Sequence, residues 1–218
     1  MDRKLQTVFA LIALISTLIP DLTEGAEACQ DLFDNDNYLN FTSRLKEIAN
    51  CSDVYVRSLK AEKQGELLQL LTSAAERLKS TRMEACRDVH PKNCSFPLIP
   101  KNGGLICMTH EKTRYCKPMC NQGYDFKFLR RTKLFESCGD GTGYRWTTPY
   151  IGGNRLADCL ESSLRVSGMK TAYFPRSCLD AIYNHTEEKV LISIFKEELK
   201  KFSVDKVNSK TKCLLCGD

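Results

Sequence analysis

Residues 94–159 read CSFPLIPKNGGLICMTHEKTRYCKPMCNQGYDFKFLRRTKLFESCGDGTGYRWTTPYIGGNRLADC. The stretch holds Cys94, Cys107, Cys116, Cys120, Cys138 and Cys159, half of the twelve cysteines, together with Trp146, the only tryptophan. Most of the glycines lie here too, and no helical period runs through it. Tyr124, Phe126 and Phe128 alternate as a half-buried strand requires, and residues 134–138 offer a second strand. Gly139, Gly141 and Gly143 set a turn before Tyr144 and Trp146.

On both sides the period changes to that of helices. Residues 38–49 place Leu39, Leu45 and Ile48 on one face, with Phe41 nearby. Ser52-Asp53 is a start signal for a second helix, weakened at Gly65 and strong from 66 to 79. There Leu67, Leu71, Ala74 and Leu78 repeat at helical spacing, widened by Leu68, Leu70 and Ala75, and such a stripe is expected to be core. Pro91 bars a helical His90, so that element ends before it. Beyond 159, residues 160–166 suggest a helical turn and 178–183 a short helix. A last long helix is expected to be capped by Thr186, with Glu187 and Glu188 at its positive end and Lys200 and Lys201 at its negative end. Leu191, Ile194, Phe195, Leu199 and Phe202 form its apolar face, and a polar tail leads to Cys213 and Cys216.

The N-terminus sets the compartment. Arg3 and Lys4 precede an apolar run from Val8 to Leu18, then Pro20 and the small residues Gly25, Ala26 and Ala28. This is the layout of a cleavable signal peptide, expected at 1–28, and the run is short of the roughly 20 residues that span a bilayer. No later stretch is apolar enough to span a membrane, so the mature chain is expected to be secreted and extracellular. Residues 1–28 carry two of the 32 basic and four of the 27 acidic side chains, so cleavage raises the formal charge from +5 to +7. That mild basicity favours acidic surfaces such as sulfated glycans and is no nucleic-acid signature.

All twelve cysteines follow the leader, an even number that reads as six disulfides. Zinc at Cys213-Leu-Leu-Cys216 is the competing reading, but two further soft ligands at similar spacing are lacking. Cys29, Cys51 and Cys86 precede the central stretch and Cys178, Cys213 and Cys216 follow it. Odd numbers on each side mean that the simplest closure joins the flanks by at least one bond, with fifteen connectivities open among these six.

The central stretch resembles a sushi, or complement control protein, module. Cys94 stands as the first family cysteine, followed by Pro97, Pro100, Asn102 and Gly103; Cys120 as the second, followed by Gly123-Tyr124 and Phe126; Cys138 as the third, then Trp146; Cys159 as the fourth. The resemblance implies a small β-sandwich with Cys94 bonded to Cys138 and Cys120 to Cys159. Cys107 and Cys116 are additional to the family pattern and are expected to close a local loop on each other. No proline stands just before Cys159, and the spacing from Cys138 to Cys159 is long for the family. The expected chain is therefore α+β: a signal peptide at 1–28, a helical segment at 29–90, a small disulfide-rich, sushi-like β module at 91–160, and a helical segment at 161–218 packed with 29–90.

Catalytic chemistry finds no foothold. With the cysteines oxidised no thiolate is spare, no GxSxG elbow is present, and His90, His110 and His185 stand in turn-like or polar surroundings. Asp34, Asn35, Asp36 and Asn37 lack the glycine and distal glutamate of an EF-hand loop. No metal and no cofactor are expected, and the chain is read as no enzyme. Asn40, Asn50, Asn93 and Asn184 fit the N-glycosylation acceptor; Asn40 and Asn184 are the better sites, because Asn50 and Asn93 each precede a cysteine. Lys127, Arg130, Arg131 and Lys133 are interleaved with aromatics and are the candidate binding patch for a sulfated glycan or an acidic protein. Sushi modules mostly serve recognition, so the expected function is non-enzymatic binding of an extracellular protein or glycan. The alternative is a helical, cytokine-like ligand or secreted inhibitor acting through its helices.

Overall fold

The computed structural model describes residues 35–50, 56–87, 91–148, 152–202, 204 and 212–217. The expected signal peptide, Cys29 and Cys51 lie outside them. The chain divides into two compact units, one up to Thr72 and one from Ser73 onward.

In the first unit, helix α1 (Asn35–Asn50) forms where the helical period begins. Leu39 and Phe41 on it face solvent, at 63% and 55% exposure, while Leu45 and Ile48 are half-buried. Helix α2 (Ala61–Arg87) starts in this unit, and Gln64 Nε2 donates to the Val56 and Leu59 carbonyls just before it. The leucine stripe of α2 corrects the expectation of a core: Leu68, Leu70, Leu71 and Leu78 are all exposed. A helical period fixes which residues share a face, whereas burial needs a second element to cover that face.

The second unit is built on one sheet. Strands β1 (Gly103–His110) and β2 (Thr113–Cys120) form a hairpin in register from Gly103 opposite Cys120 to His110 opposite Thr113. Strand β4 (Glu136–Cys138) adds to β2, and β6 (Cys213–Cys216) adds to β1, giving the antiparallel order β4-β2-β1-β6. Strands β3 (Tyr124–Phe126) and β5 (Cys159–Glu161) make a second, two-stranded sheet. Helices α3 (Cys178–Tyr183) and α4 (His185–Lys200) follow.

Successive side chains of β1 enter different cores. Ile106 and Met108 join Met119, Leu214, Phe174 and the α4 residues Leu191, Phe195 and Leu199. Leu105 and Cys107 join Cys94, Cys116, Cys138, Trp146 and Leu215 on the opposite face. A sheet covered on both faces yields a continuous buried run rather than an alternating one, and β1 is buried from Gly103 through Thr109. Gly104 is required by this packing: a Cβ there would lie 2.5 Å from Cys178 Sγ and 2.6 Å from the Leu215 carbonyl oxygen. Gly104→Ala is expected to cost about 1–3 kcal/mol in urea unfolding with disulfides intact, the usual range for overpacking.

Five disulfides lock the unit. Cys94 is bonded to Cys138, Cys120 to Cys159, and Cys107 to its cross-strand partner Cys116. Cys86–Cys213 and Cys178–Cys216 tie α2 and α3 to the two ends of β6. Cys213 and Cys216 are thus in disulfides, which removes the zinc reading of that pair.

Three details depart from the sequence reading. The segment 161–218 is not purely helical, because Cys213–Cys216 is a strand of the central sheet; the sheet therefore reaches beyond residues 91–160. Residues 160–166 form no helical turn: β5 ends at Glu161 and a loop follows. The cap of α4 is Asn184, whose side chain accepts from the Glu187 N–H, two residues earlier than the expected cap Thr186.

Candidate functional site

The loop after β5 folds back over β3 because of one carboxylate. Asp125 is buried at the centre of β3 and accepts from the Phe126 N–H at 2.8 Å, the Val166 N–H at 3.0 Å and the Ser167 N–H at 3.0 Å. The Tyr173 hydroxyl donates to it at 2.5 Å and itself accepts from the Gly168 N–H at 2.7 Å. Burial pushes the Asp125 carboxyl up, but these hydrogen bonds, led by that of Tyr173, outweigh it and hold the group below its ordinary 3.8. Burial, and then the bond to Asp125, push the Tyr173 phenol up to about 12, so it stays a donor at neutral pH. Phe126 packs on Tyr173 at 5.6 Å between ring centroids.

This clamp shapes a concavity of about 370 Å3 lined by Arg131, Arg165, Gly168, Met169, Lys170 and Tyr173. Its three charged lining residues are all cations, and all three are exposed. Arg131 is held by a 2.8 Å bond from Nε to the Val166 carbonyl. The Arg165 guanidinium lies over the Tyr173 ring at 5.2 Å. Lys170 opens the short 3-10 turn that leads to Tyr173. Planar guanidinium groups offer paired N–H donors to sulfate or carboxylate, and an ammonium adds a point charge.

The four residues of the expected patch do not share this face. Arg130 is buried: Nη1 lies 3.0 Å from the Glu136 carboxylate and donates to the Leu156 carbonyl at 3.0 Å. Lys133 is half-buried and turns to the same carboxylate at 2.9 Å, and it donates to the Thr147 carbonyl. Only Arg131 lines the concavity. Lys127 is exposed and lines a different hollow of about 430 Å3, with Lys101 and Arg155, the latter paired to Asp158 at 2.7 Å. The physical reason is that β3 stops at Phe126. The segment after it is a loop wrapped around Glu136, a fully buried carboxylate that draws two of the four cations inward.

Arg165, Lys170, Asp125 and Tyr173 were not singled out by the sequence reading. The three cations 131, 165 and 170 are scattered along the chain, and only the fold back onto Asp125 brings them together. Asn40 and Asn184 are exposed, and Asn184 uses its Oδ1 for the helix cap, which leaves the amide nitrogen on the outside of that bond. Among the described residues no group of three or more His, Cys, Asp or Glu is arranged to hold a metal ion, and no helix is long and apolar enough to cross a membrane.

Comparison with protein-family models, with curated proteins and with solved structures finds no match for this chain.

Proposed function

We propose that the protein is a secreted, non-enzymatic recognition protein that binds a sulfated glycan at the concavity formed by Arg131, Arg165 and Lys170. The observation that carries this reading is the gathering of three exposed cations in one hollow, with no carboxylate among the described residues that line it. Supporting it are the five disulfides, which belong to oxidising compartments, and the leader-like sequence at 1–28. The sushi-like residues supply the rigid frame: Trp146, whose Nε1 donates to the Ser95 carbonyl at 2.8 Å, packs beside the Cys94–Cys138 bond. Asn40 and Asn184 are the proposed glycosylation sites, and both are exposed.

The test uses the full secreted chain on an immobilised heparin-type glycan. Changing Arg131, Arg165 and Lys170 together to glutamine is expected to weaken binding at least tenfold at about 0.1 M salt, where exposed charges act over roughly 10 Å. A control with Lys112, Lys189 and Lys201 changed to glutamine makes the same charge difference elsewhere. Equal weakening by both sets overturns the site, because net charge alone would then explain binding.

A second reading rests on the first unit, where Leu39, Phe41, Leu68 and Leu70 are each more than half exposed. It is a ligand that docks helices onto a cell-surface protein. Leu68→Asp with Leu70→Asp in the full chain abolishes cell binding on that reading and leaves it intact on the first.

A further inference from the structure

Arg114, on β2, is almost fully buried, and it points at a disulfide. Its Nη1 donates to the Thr109 hydroxyl across the hairpin at 2.8 Å. Its Nη2 lies within hydrogen-bond distance of both sulfurs of the Cys86–Cys213 bond. Burial lowers the guanidinium pKa to about 10, so the group is still a cation at neutral pH.

A donor in that place favours the reduced sulfurs over the oxidised ones. A bonded sulfur is a weak acceptor, whereas a thiolate accepts a charge-assisted hydrogen bond and is the form that an adjacent arginine stabilises. Cys86 stands in the last turn of α2, whose negative end opposes a thiolate. A direct bond from a cationic N–H outweighs that diffuse field. A disulfide whose leaving thiolate is stabilised exchanges faster and is more readily reduced.

Exposure selects the same bond and the sulfur that is attacked. Of the ten cysteines in the five bonds, nine are buried and Cys213 alone is half-buried. The other four bonds all join residues between 94 and 216. Cys86–Cys213 is therefore the one disulfide among the described residues that holds α2 to the sheet.

We propose that Cys86–Cys213 is a reactive disulfide that a small thiol of the glutathione class reduces, releasing the C-terminal end of α2 from β6. The reagent thiolate attacks Cys213 Sγ, and a new sulfur–sulfur bond forms there. The Cys86–Cys213 bond breaks, and its electron pair leaves on Cys86 Sγ as a thiolate beside Arg114 Nη2. A second reagent thiolate attacks the reagent sulfur of the mixed disulfide and frees Cys213. Two thiols are thereby oxidised to one disulfide and the protein bond is reduced by two electrons. This device does not depend on the glycan reading.

The experiment treats the intact, disulfide-bonded chain with reduced glutathione without denaturant, traps free thiols by alkylation over time, and maps them by mass spectrometry. Cys86 and Cys213 are expected to be labelled together, about tenfold or more ahead of the other four described pairs. Arg114→Met is expected to slow that labelling about tenfold, the effect of losing the group that stabilises the leaving thiolate. A merely structural arginine gives the opposite sign, because a loosened fold exposes the bond and speeds its reduction. Hydrogen exchange in residues 76–87 is expected to quicken once the bond is cut, and to be equally quick without reductant in Cys86→Ser with Cys213→Ser. Earliest labelling at another described pair, or release of all five bonds together, overturns the proposal. So does unchanged or faster reduction in Arg114→Met, or unchanged exchange in residues 76–87 after reduction. Should Arg114→Met fail to fold, the order of labelling and the exchange of the parent chain decide.

Discussion

Glu198→Ala is expected to lower stability by about 3–5 kcal/mol, the usual loss when one partner of a buried ion pair is removed. The Lys117 ammonium is almost wholly buried on β2 and lies 2.5 Å from Glu198 Oε2 on α4, while the Thr171 hydroxyl donates to Oε1 at 2.6 Å. Burial holds the Lys117 pKa below its ordinary 10.5 even though the bond and charge of Glu198 oppose the shift. Removing Glu198 takes away the only opposing causes. The folded chain then binds fewer protons at this lysine than the unfolded chain does, so stability of the variant rises with pH on the alkaline side. Urea unfolding at neutral and alkaline pH measures both effects. Replacing the pair by Lys117→Met with Glu198→Leu is expected to restore most of the loss, because apolar side chains of similar volume satisfy the site without desolvating charge.

Asp125→Ala is the second large effect, and it joins stability to binding. Four groups lose their acceptor, among them the buried Tyr173 hydroxyl and the Val166 and Ser167 amides. Each unsatisfied buried donor costs about 1–3 kcal/mol, and solvent entry into the loosened loop offsets part of this, for an expected loss of about 3–4 kcal/mol. The loop that carries Arg165 loses its anchor, so on the proposed glycan reading affinity is expected to fall about tenfold even where the variant is folded. Asp125 also gives an acid limb to the stability profile. Its folded pKa lies below the unfolded 3.8, so its contribution is present above about pH 4 and lost as pH falls through the folded value. Asp125→Asn is expected to flatten that limb below about pH 4 in melting curves.

Some of this architecture was legible in the chain and some was not. The helical periods marked α1, α2 and α4, and the glycine- and cysteine-rich middle marked the strands. The bonded pairs Cys94–Cys138 and Cys120–Cys159 join the residues that the sushi resemblance pairs, while Cys107–Cys116 closes the β1–β2 hairpin. Strand β6 was hidden because four residues between two cysteines carry no period, and its partner β1 lies about a hundred residues earlier. Nothing local in the sequence marks Lys117 as buried; it is internal because β2 is a central strand whose Tyr115, Lys117 and Met119 side faces α4. Asp125, between Tyr124 and Phe126, reads as the solvent side of a half-buried strand, and only the returning loop at 162–173 buries it. The basic run at 127–133 was visible as charge. Its division between a buried carboxylate, Glu136, and two separate hollows depends on backbone turns that no local pattern encodes.

The most direct measurement is hydrogen exchange of the intact chain with and without a saturating heparin-derived hexasaccharide. The expected result is slowed exchange confined to residues 163–173 and the adjoining loop at 127–132. Slowed exchange only elsewhere, or none at saturation, contradicts recognition through Arg131, Arg165 and Lys170.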